Sequence, residues 1–253
     1  MASLFDDANT QFSEVDSTPV SIAPFTLAYW GQPNDDTIQA IAFGIFDKDQ
    51  GSFYFALSHD GLQGDKINFI LQGTGNVQVF TTTSFTKDVW SHACGVNVSS
   101  TDHRVYLNGG SVGTSATETV ADLCDRITVG RAGTNSPSNY FSGDIAECAI
   151  WNVALSETEV QTLAAGYSPL FVRPGSLVFY DPMIRSDSGD DTHDIIGGLT
   201  LVGQGGTGVP VTSNHPRIIR PSGLYVPGDV VAAPAGSILP QIVSSQHQMQ
   251  GVA

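Results

Sequence analysis

The sequence has few positive charges. Ten Lys and Arg residues stand against 25 Asp and Glu, which gives the 253-residue chain a formal charge of -15. Nucleic-acid binding needs clustered Lys and Arg against the phosphates, so we expect no nucleic-acid partner. A negative surface instead fits solubility, cation binding or a basic partner.

Long apolar runs and clustered cysteines are also missing. The sequence contains no stretch of about 18 apolar residues, so we expect no membrane span. "MASLFDDANT" has no basic start and no apolar centre, so we expect no signal peptide and synthesis in the cytoplasm. Cys94, Cys124 and Cys148 lack CxxC spacing, which predicts reduced, partly buried thiols rather than a zinc site.

Glycine and short alternating segments are abundant instead. The 27 glycines and many Asn and Asp residues bound segments in which apolar and polar side chains alternate. This period of two is the pattern of half-buried strands, and Asn108-Gly109 predicts a type I′ hairpin. We therefore predict an all-β, two-sheet antiparallel β-sandwich of the jelly-roll type. Its main strands are expected near residues 25–31, 38–46, 52–58, 66–71, 89–98, 103–107, 126–130 and 143–151.

One short helix is predicted after residue 155. Ser156 and Glu159 have the spacing of a capping box, and Leu155 and Val160 that of a hydrophobic staple. Gly166 suits the C-terminal turn of the helix. We expect this helix to lie against the rim of the sandwich.

The chain returns to strand patterns after the helix and then changes character. Residues 177–180 and the segment "GLTLVG" predict two more strands. From Pro210 onward, prolines recur without periodic patterning, which favours an extended backbone. We predict a jelly-roll domain at 1–209 and an extended C-terminal arm at 210–253. The arm is expected to bind neighbouring subunits through its apolar residues: Ile218, Ile219, Leu224, Tyr225, Val226, Ile238, Leu239 and Ile242.

Three landmarks together resemble laminin G-like domains of the concanavalin A-like lectin/glucanase fold. They are Phe25-Thr26 with Trp30, then "VWSH" leading to "VYLNGG", then "GDIAECAIWNVALSETEVQTL". The resemblance covers roughly residues 12–166 and implies the concanavalin A-like form of the jelly roll. Proteins of this type include many that bind calcium.

The order of the segments departs from the usual family pattern. The strand and the Asp/Gly-rich loop that often begin such domains resemble residues 176–203, after the helix. This implies a cyclically shifted strand order, which is feasible where the termini of a domain lie close together. The same layout, ending in "SPLFVRP" and "HPR", resembles proteins encoded among bacteriophage structural genes.

Catalytic spacing is not evident. Asp144 and Glu147 are three residues apart, which sends them to opposite faces of a flat strand, so Glu147 is expected to be a hydrogen-bond acceptor at the rim. His92 and Cys94 share a strand face with Val96, which favours a buried, hydrogen-bonded histidine over a catalytic dyad. We predict that the chain is not an enzyme.

Two sets of residues are candidate ligand sites. Asp187, Asp190, Asp191 and Asp194 could supply oxygen ligands to calcium, although a solvated acidic loop gives the same pattern. Tyr140 and Phe141 could stack on a glycan, although core packing gives the same pattern. No cofactor is required on this interpretation, and calcium is the one candidate.

The resemblance to proteins encoded among bacteriophage structural genes, together with the absence of catalytic spacing, a signal peptide and a membrane span, implies a non-enzymatic bacteriophage virion protein that decorates or cements the capsid. We expect capsid or other virion proteins as partners, a homo-oligomer such as a trimer, and a possible affinity for glycans or the host surface. The alternative is a calcium-assisted carbohydrate-binding module, and a polysaccharide-degrading enzyme ranks below both.

The calcium hypothesis has a direct test. If the acidic loop binds calcium, a calorimetric titration with calcium will release or absorb heat and raise the melting temperature, because an ion that binds only the folded state stabilises it. A titration with neither effect would remove calcium from the candidate ligands.

Overall fold

The chain folds into a β-sandwich. The computed structural model describes residues 2–121, 123–185, 191–206 and 211–221, with the backbone alone at 211–213. These residues form one α-helix, α1 (Glu157–Ala164), and 3₁₀ turns at Gly61–Gln63 and Pro169–Phe171. The strands are β1 (Ala2–Phe5), β2 (Phe12–Val15), β3 (Phe25–Pro33), β4 (Gln39–Phe46), β5 (Tyr54–Asp60), β6 (Lys66–Gln72), β7 (Asn76–Phe80), β8 (Ser91–Ser99), β9 (Asp102–Leu107), β10 (Gly110–Ser115), β11 (Arg126–Val129), β12 (Gly143–Trp151), β13 (Leu177–Asp181), β14 (Thr192–His193), β15 (Thr200–Gln204) and β16 (Val211–Ser213).

The described strands form two eight-stranded antiparallel sheets. The first has the order β10-β9-β8-β3-β12-β1-β16, with β13 also paired to β12. The second has the order β14-β15-β2-β11-β4-β5-β6-β7. Asn108 and Gly109, both at positive φ, join β9 to β10 as the sequence predicts. The predicted all-β, two-sheet sandwich with one short helix is confirmed.

The main core lies between the two sheets. On β5 and β6, alternate residues such as Leu57 and Phe69 are fully buried in it, as the pleat of a strand requires. Gly95 on β8 of the first sheet faces Phe69, and a Cβ at Gly95 would lie 2.8 Å from the Phe69 ring. The close approach of the sheets at this point therefore depends on glycine.

Helix α1 begins with the predicted capping box. The Ser156 hydroxyl accepts from the N–H of Glu159, and the Glu159 carboxylate accepts from the N–H of Ser156. Val160 and Leu163 are buried in a second apolar cluster that contains Trp151 of β12. The helix therefore covers the outer face of the first sheet and does not lie at the rim as predicted.

Strand β12 is divided by a bulge at Glu147. Glu147 has φ of 57°, and the register with β3 shifts between Ala146 and Ala149. Residues 143–145 pair with β1, whereas residues 148–151 pair with β13. The bulge thus lets two different strands share one edge of β12.

The Glu147 carboxylate is enclosed rather than placed at the rim. The residue is 2% exposed, and the carboxylate accepts hydrogen bonds from the Tyr180 hydroxyl at 2.6 Å and from Arg220 Nη2 at 2.7 Å. Nε2 of His215 lies 3.1 Å from Oε1. Burial alone would raise the pKa of Glu147, but His215, Arg220 and Tyr180 outweigh it and leave the pKa below its usual range.

The chain remains on the sandwich beyond residue 210. Strand β16 pairs with β1, and Ile219 exchanges backbone hydrogen bonds with Gly166 and Ser168 at 2.7 and 2.9 Å. The boundary predicted at 209/210 therefore precedes the last described strand of the first sheet.

The predicted arm residues are described only in part. Ile218 is half-buried and Ile219 is 46% exposed. The other predicted arm residues lie outside the described residues: Leu224, Tyr225, Val226, Ile238, Leu239 and Ile242.

The strands expected after the helix are present. The segment predicted at 177–180 is β13, paired with β12, and "GLTLVG" contains β15, paired with β2. Each sheet therefore receives a strand from this part of the chain. The cyclic shift of the family order stays a prediction. No helix in the described ranges is long and apolar enough to cross a membrane.

Candidate functional site

A groove of about 440 Å³ opens at the end of the second sheet where β4 begins and β5 ends. Four separate segments of the chain contribute to it: the β1–β2 loop, the start of β4, the turn after β5 and the loop before β12. We call it the Tyr140 groove, and its lining residues are Asp7, Ile38, Gln39, Leu62, Asn139 and Tyr140.

The structure separates the two predicted glycan-binding aromatics. Phe141 is 0% exposed and lies in the main core, with its ring centroid 5.4 Å from that of His59. Tyr140 is half-buried and lines the groove, 6.5 Å from the ring of Phe12. The prediction that Phe141 stacks on a glycan is therefore wrong, because its ring belongs to the core. Its burial holds Tyr140 at the surface.

An amide pair forms one side of the groove. Asn139 Nδ2 donates to the backbone oxygen of Gln39 at 3.1 Å and to its Oε1 at 3.3 Å. The backbone oxygen of Asn139 accepts from the N–H of Ile41 at 2.9 Å. Asn139 has φ of 54°, a conformation that Asn adopts more readily than most residues. These bonds fix the loop that carries Tyr140 to the first residues of β4.

A buried polar cluster lies behind Gln39. Gln39 Nε2 donates to Asp60 Oδ2 at 2.8 Å, and Asn68 Nδ2 lies 3.5 Å from the same oxygen. Ser58, Asp60 and Asn68 are buried, and within the described part of the chain Ser58 Oγ, Asp60 Oδ1 and Asn68 Oδ1 have no hydrogen-bond partner. Buried acceptors of this kind are usually satisfied by an ordered water or a ligand.

The rest of the groove combines an apolar wall with a carboxylate. Leu62 is 68% exposed, so its side chain presents apolar surface to the groove. Asp7 is half-buried, and its Oδ1 accepts from the N–H of Ala8 at 2.9 Å. A cavity of about 130 Å³, which also contacts Tyr54, shares Gln39 and Asn139 with the groove. The groove therefore offers a flat apolar surface beside hydrogen-bonding groups.

A second groove, of about 360 Å³, is lined mainly by apolar groups such as Ile22 and Val120. Two of its polar side chains are already paired within the protein. Asn97 Oδ1 lies 2.8 Å from Nδ1 of His103, and the Thr119 hydroxyl donates to the backbone oxygen of Gly75 at 3.0 Å. Its ten lining residues include no charged side chain, and their one aromatic residue, Phe55, is 1% exposed, so this groove offers neither an exposed aromatic ring nor an ionic group.

The predicted calcium loop is described only in part. Asp187 and Asp190 lie outside the described residues. Asp194 accepts from the N–H groups of Tyr180, Ile196 and Gly197 at 2.9, 2.9 and 2.8 Å, so it holds a turn. Asp191 Oδ1 accepts from the N–H of Gly203 at 3.3 Å. In the part of the chain that the structure describes, no group of three His, Cys, Asp or Glu is placed to hold a metal. Calcium binding stays a prediction.

Asp181, next to this loop, is a fully buried carboxyl. Desolvation raises its pKa to about 6, although Thr192, the N–H of Met183 and Arg185 act in the opposite direction. The nearby charge of Asp194 adds to the increase. Asp181 is therefore a group whose protonation is linked to folding near neutral pH.

His92 and Cys94 do not form a reactive pair. Both are buried; burial lowers the pKa of His92 to about 3 and raises the pKa of Cys94. Cys94 packs in the apolar cluster under the helix, and the His92 ring lies 5.6 Å from that of Trp30. The predicted burial of His92 is confirmed, but its Nδ1 has no hydrogen-bond partner among the described residues. A thiol with a raised pKa is a poor nucleophile.

Sequence reasoning missed most of the groove. Of its six lining residues only Tyr140 was a predicted site residue. Leu62 gave a usable signal, because it is an apolar residue inside the polar turn "DGLQGD". Asp7, Gln39 and Asn139 gave none, since their proximity comes from the pairing of distant segments.

The chain belongs to the concanavalin A-like lectin/glucanases superfamily. The Laminin_G_3 family model, which carries that description, matches residues 7–161, more than half of the chain. No curated protein is similar enough in sequence to count as a relative.

Solved structures share the fold at low sequence identity. A putative carbohydrate-binding protein from Bacteroides ovatus has a TM-score of 0.58 at 16% identity, over 84% of this chain and 61% of that one. The sialidase module CBM40 of Ruminococcus gnavus, bound to α2,6-sialyllactose, has a TM-score of 0.54 at 11% identity, over 65% and 97%. A heptameric SAP-like pentraxin from Limulus polyphemus has a TM-score of 0.53 at 14% identity, over 79% and 94%. At these identities the similarity establishes the fold alone.

Replacing Asp181 by Asn should change how stability depends on pH. The folded-state pKa of about 6 lies above the ordinary value of 3.8, so the folded protein takes up this proton more readily than the unfolded chain. Protonation of Asp181 therefore stabilises the folded protein. This contribution is fully present below about pH 4 and is lost as the pH rises through about 6. We expect Asp181→Asn to raise the free energy of unfolding by about 1–3 kcal/mol at about pH 8, and by much less at about pH 4.

Urea unfolding at both pH values measures this difference. Asp49→Asn is the matched control, because the Asp49 side chain is 77% exposed. An equal effect of Asp181→Asn at both pH values would contradict the prediction.

Proposed function

We propose that this chain is a non-catalytic carbohydrate-binding module and that the Tyr140 groove holds the sugar. Two kinds of support come from the comparisons. The chain belongs to a lectin/glucanase superfamily, and solved structures of the same fold include a putative carbohydrate-binding protein and a module bound to sialyllactose. Fold alone does not assign function, so the proposal depends on the groove.

The observation that carries the proposal is the composition of the groove walls. A sugar ring has apolar C–H faces and a rim of hydroxyl groups. The ring of Tyr140 and the exposed side chain of Leu62 offer apolar surface, while Asp7 and the amides of Gln39 and Asn139 offer hydrogen-bonding groups. A concave site with an aromatic surface and a few polar groups is the usual form of a small-ligand site.

Hydrolysis has less support than binding. A glycosidase needs two carboxyl groups flanking the scissile bond, about 5 Å apart or somewhat more. Among the residues that line the groove, Asp7 alone carries a carboxyl group. Glu147, one of the carboxylates considered from the sequence, is enclosed by Tyr180, His215 and Arg220.

Two finer predictions stand apart from this proposal. Assistance by calcium depends on the acidic loop, of which Asp191 and Asp194 are described. A place in a bacteriophage capsid, with homo-oligomer and virion partners, depends on the sequence resemblance. The lining of the Tyr140 groove includes neither the acidic loop nor the arm.

Replacing Tyr140 by Ala should abolish most of the affinity. Truncating a central aromatic anchor commonly costs about 2 kcal/mol or more, so we expect at least a tenfold loss of affinity. A glycan array would identify the best-bound oligosaccharide, and calorimetric titration would then compare the variants with it.

Tyr167→Ala is the matched control, because Tyr167 is 40% exposed and lies beside Phe171, outside the groove. Equal affinity in wild type and Tyr140→Ala would place any sugar elsewhere, and failure of the wild type to bind any glycan would remove the proposed function.

A further inference from the structure

The charges around the Tyr140 groove are unevenly distributed. Asp7 lines the groove, and Asp60 lies directly behind Gln39, whose Nε2 is 2.8 Å from the Asp60 carboxylate. The six lining residues include no Lys or Arg. The groove therefore has negative charge in its wall and behind it, without a lining cation to balance an anionic ligand.

Two described cations near the groove are engaged by other groups. Lys66, opposite Asp60 in the sheet, donates from Nζ to the backbone oxygen of Thr82 at 2.8 Å. Arg131 donates to the Glu14 carboxylate at 2.7 Å. The Arg131 side chain is 8% exposed, and its guanidinium lies 3.5 Å from the centroid of the Phe12 ring.

Releasing any of these cations to bind a ligand would break a contact that is already made. For Arg131 it would also remove the closer of the two cations beside the largely buried Glu14 carboxylate, which is costly.

Resting on the proposed function, we infer that the groove selects neutral oligosaccharides and excludes those that carry a carboxylate or sulfate group. A neutral sugar hydroxyl can donate a hydrogen bond to the Asp7 carboxylate. A carboxylate or sulfate cannot donate one, and it is repelled by Asp7 at short range and by Asp60 behind it. The formal charge of -15 adds a long-range repulsion that salt screens.

This selectivity would differ from that of a protein with the same fold. The Ruminococcus gnavus module was solved with α2,6-sialyllactose, an acidic sugar. Specificity is set by the groups of the site and not by the fold, so the two chains can share a sandwich and select opposite classes of glycan.

The test uses the full chain and a glycan array that contains neutral, sialylated, uronate and sulfated oligosaccharides. The best neutral and the best acidic glycan are then titrated into wild type, Asp7→Asn, Asp49→Asn and Tyr140→Ala. Asp7→Asn removes one charge from the groove and keeps the side-chain shape. Asp49→Asn removes one charge from the turn between β4 and β5, at the other end of β4.

We expect wild type to prefer the neutral glycan by at least about tenfold, which corresponds to about 1.4 kcal/mol. Asp7→Asn should reduce this ratio several-fold, whereas Asp49→Asn should leave it unchanged. Melting temperatures of the variants check that each one is folded.

Three results would overturn the inference. Acidic glycans that bind as well as neutral ones, with binding lost in Tyr140→Ala, would keep the groove as the sugar site and reject its selectivity. A neutral preference that Asp7→Asn does not reduce would reject the electrostatic cause. Failure of every glycan to bind would reject the inference together with the proposed function.

Discussion

The buried carboxylate of Glu147 is the interaction that holds the last described segment of the chain on the first sheet. A buried charge is tolerated only when it is well paired, and its partners here are Tyr180 on β13 and Arg220 and His215 near the end of the described chain. Those partners reach Glu147 because the bulge in β12 lets β1 and β13 share one edge of that strand. The edge of the first sheet is thereby completed by segments that are far apart in sequence.

The N-terminal strand β1 connects this edge of the first sheet to the Tyr140 groove. Strand β16 pairs with β1, and the loop that follows β1 carries Asp7 into the groove wall. The same loop is bound by the segment after β15, because the N–H of Gly206 donates to the backbone oxygen of Asn9 at 2.8 Å. The Asp7 carboxylate, which we infer to select the ligand, is therefore positioned by strand β1 and by the segment after β15. On the other wall, Tyr140 is positioned by its neighbour Phe141 in the core.

The sequence predicts well those features that depend on residues close together in the chain. The capping box of Ser156 and Glu159 and the hairpin at Asn108-Gly109 are of this kind, and the structure confirms both. The family resemblance adds the fold, because its motifs span most of the strands of the sandwich.

Features that depend on distant pairing are not predictable in this way. Arg220 and Glu147 are separated by 73 residues, and no local pattern links them. The pairing of β16 with β1 is equally hard to predict, because β16 has only three residues and follows a proline. Tyr140 and Phe141 are adjacent aromatic residues in the loop "NSPSNYFSG", and the sequence does not indicate which one is buried. Packing against the main core decides that Phe141 is the buried one.

A ligand titration followed by backbone amide NMR tests the location of the site most directly. A neutral oligosaccharide selected by the glycan array would be added to the ¹⁵N-labelled protein, and the shifted amides would be mapped onto the sandwich. We expect the largest shifts at Asp7, Leu62, Asn139 and Tyr140, around one end of the second sheet. Shifts centred on the groove of Ile22 and Val120, or on the helix face, would contradict the assignment of the Tyr140 groove as the sugar site.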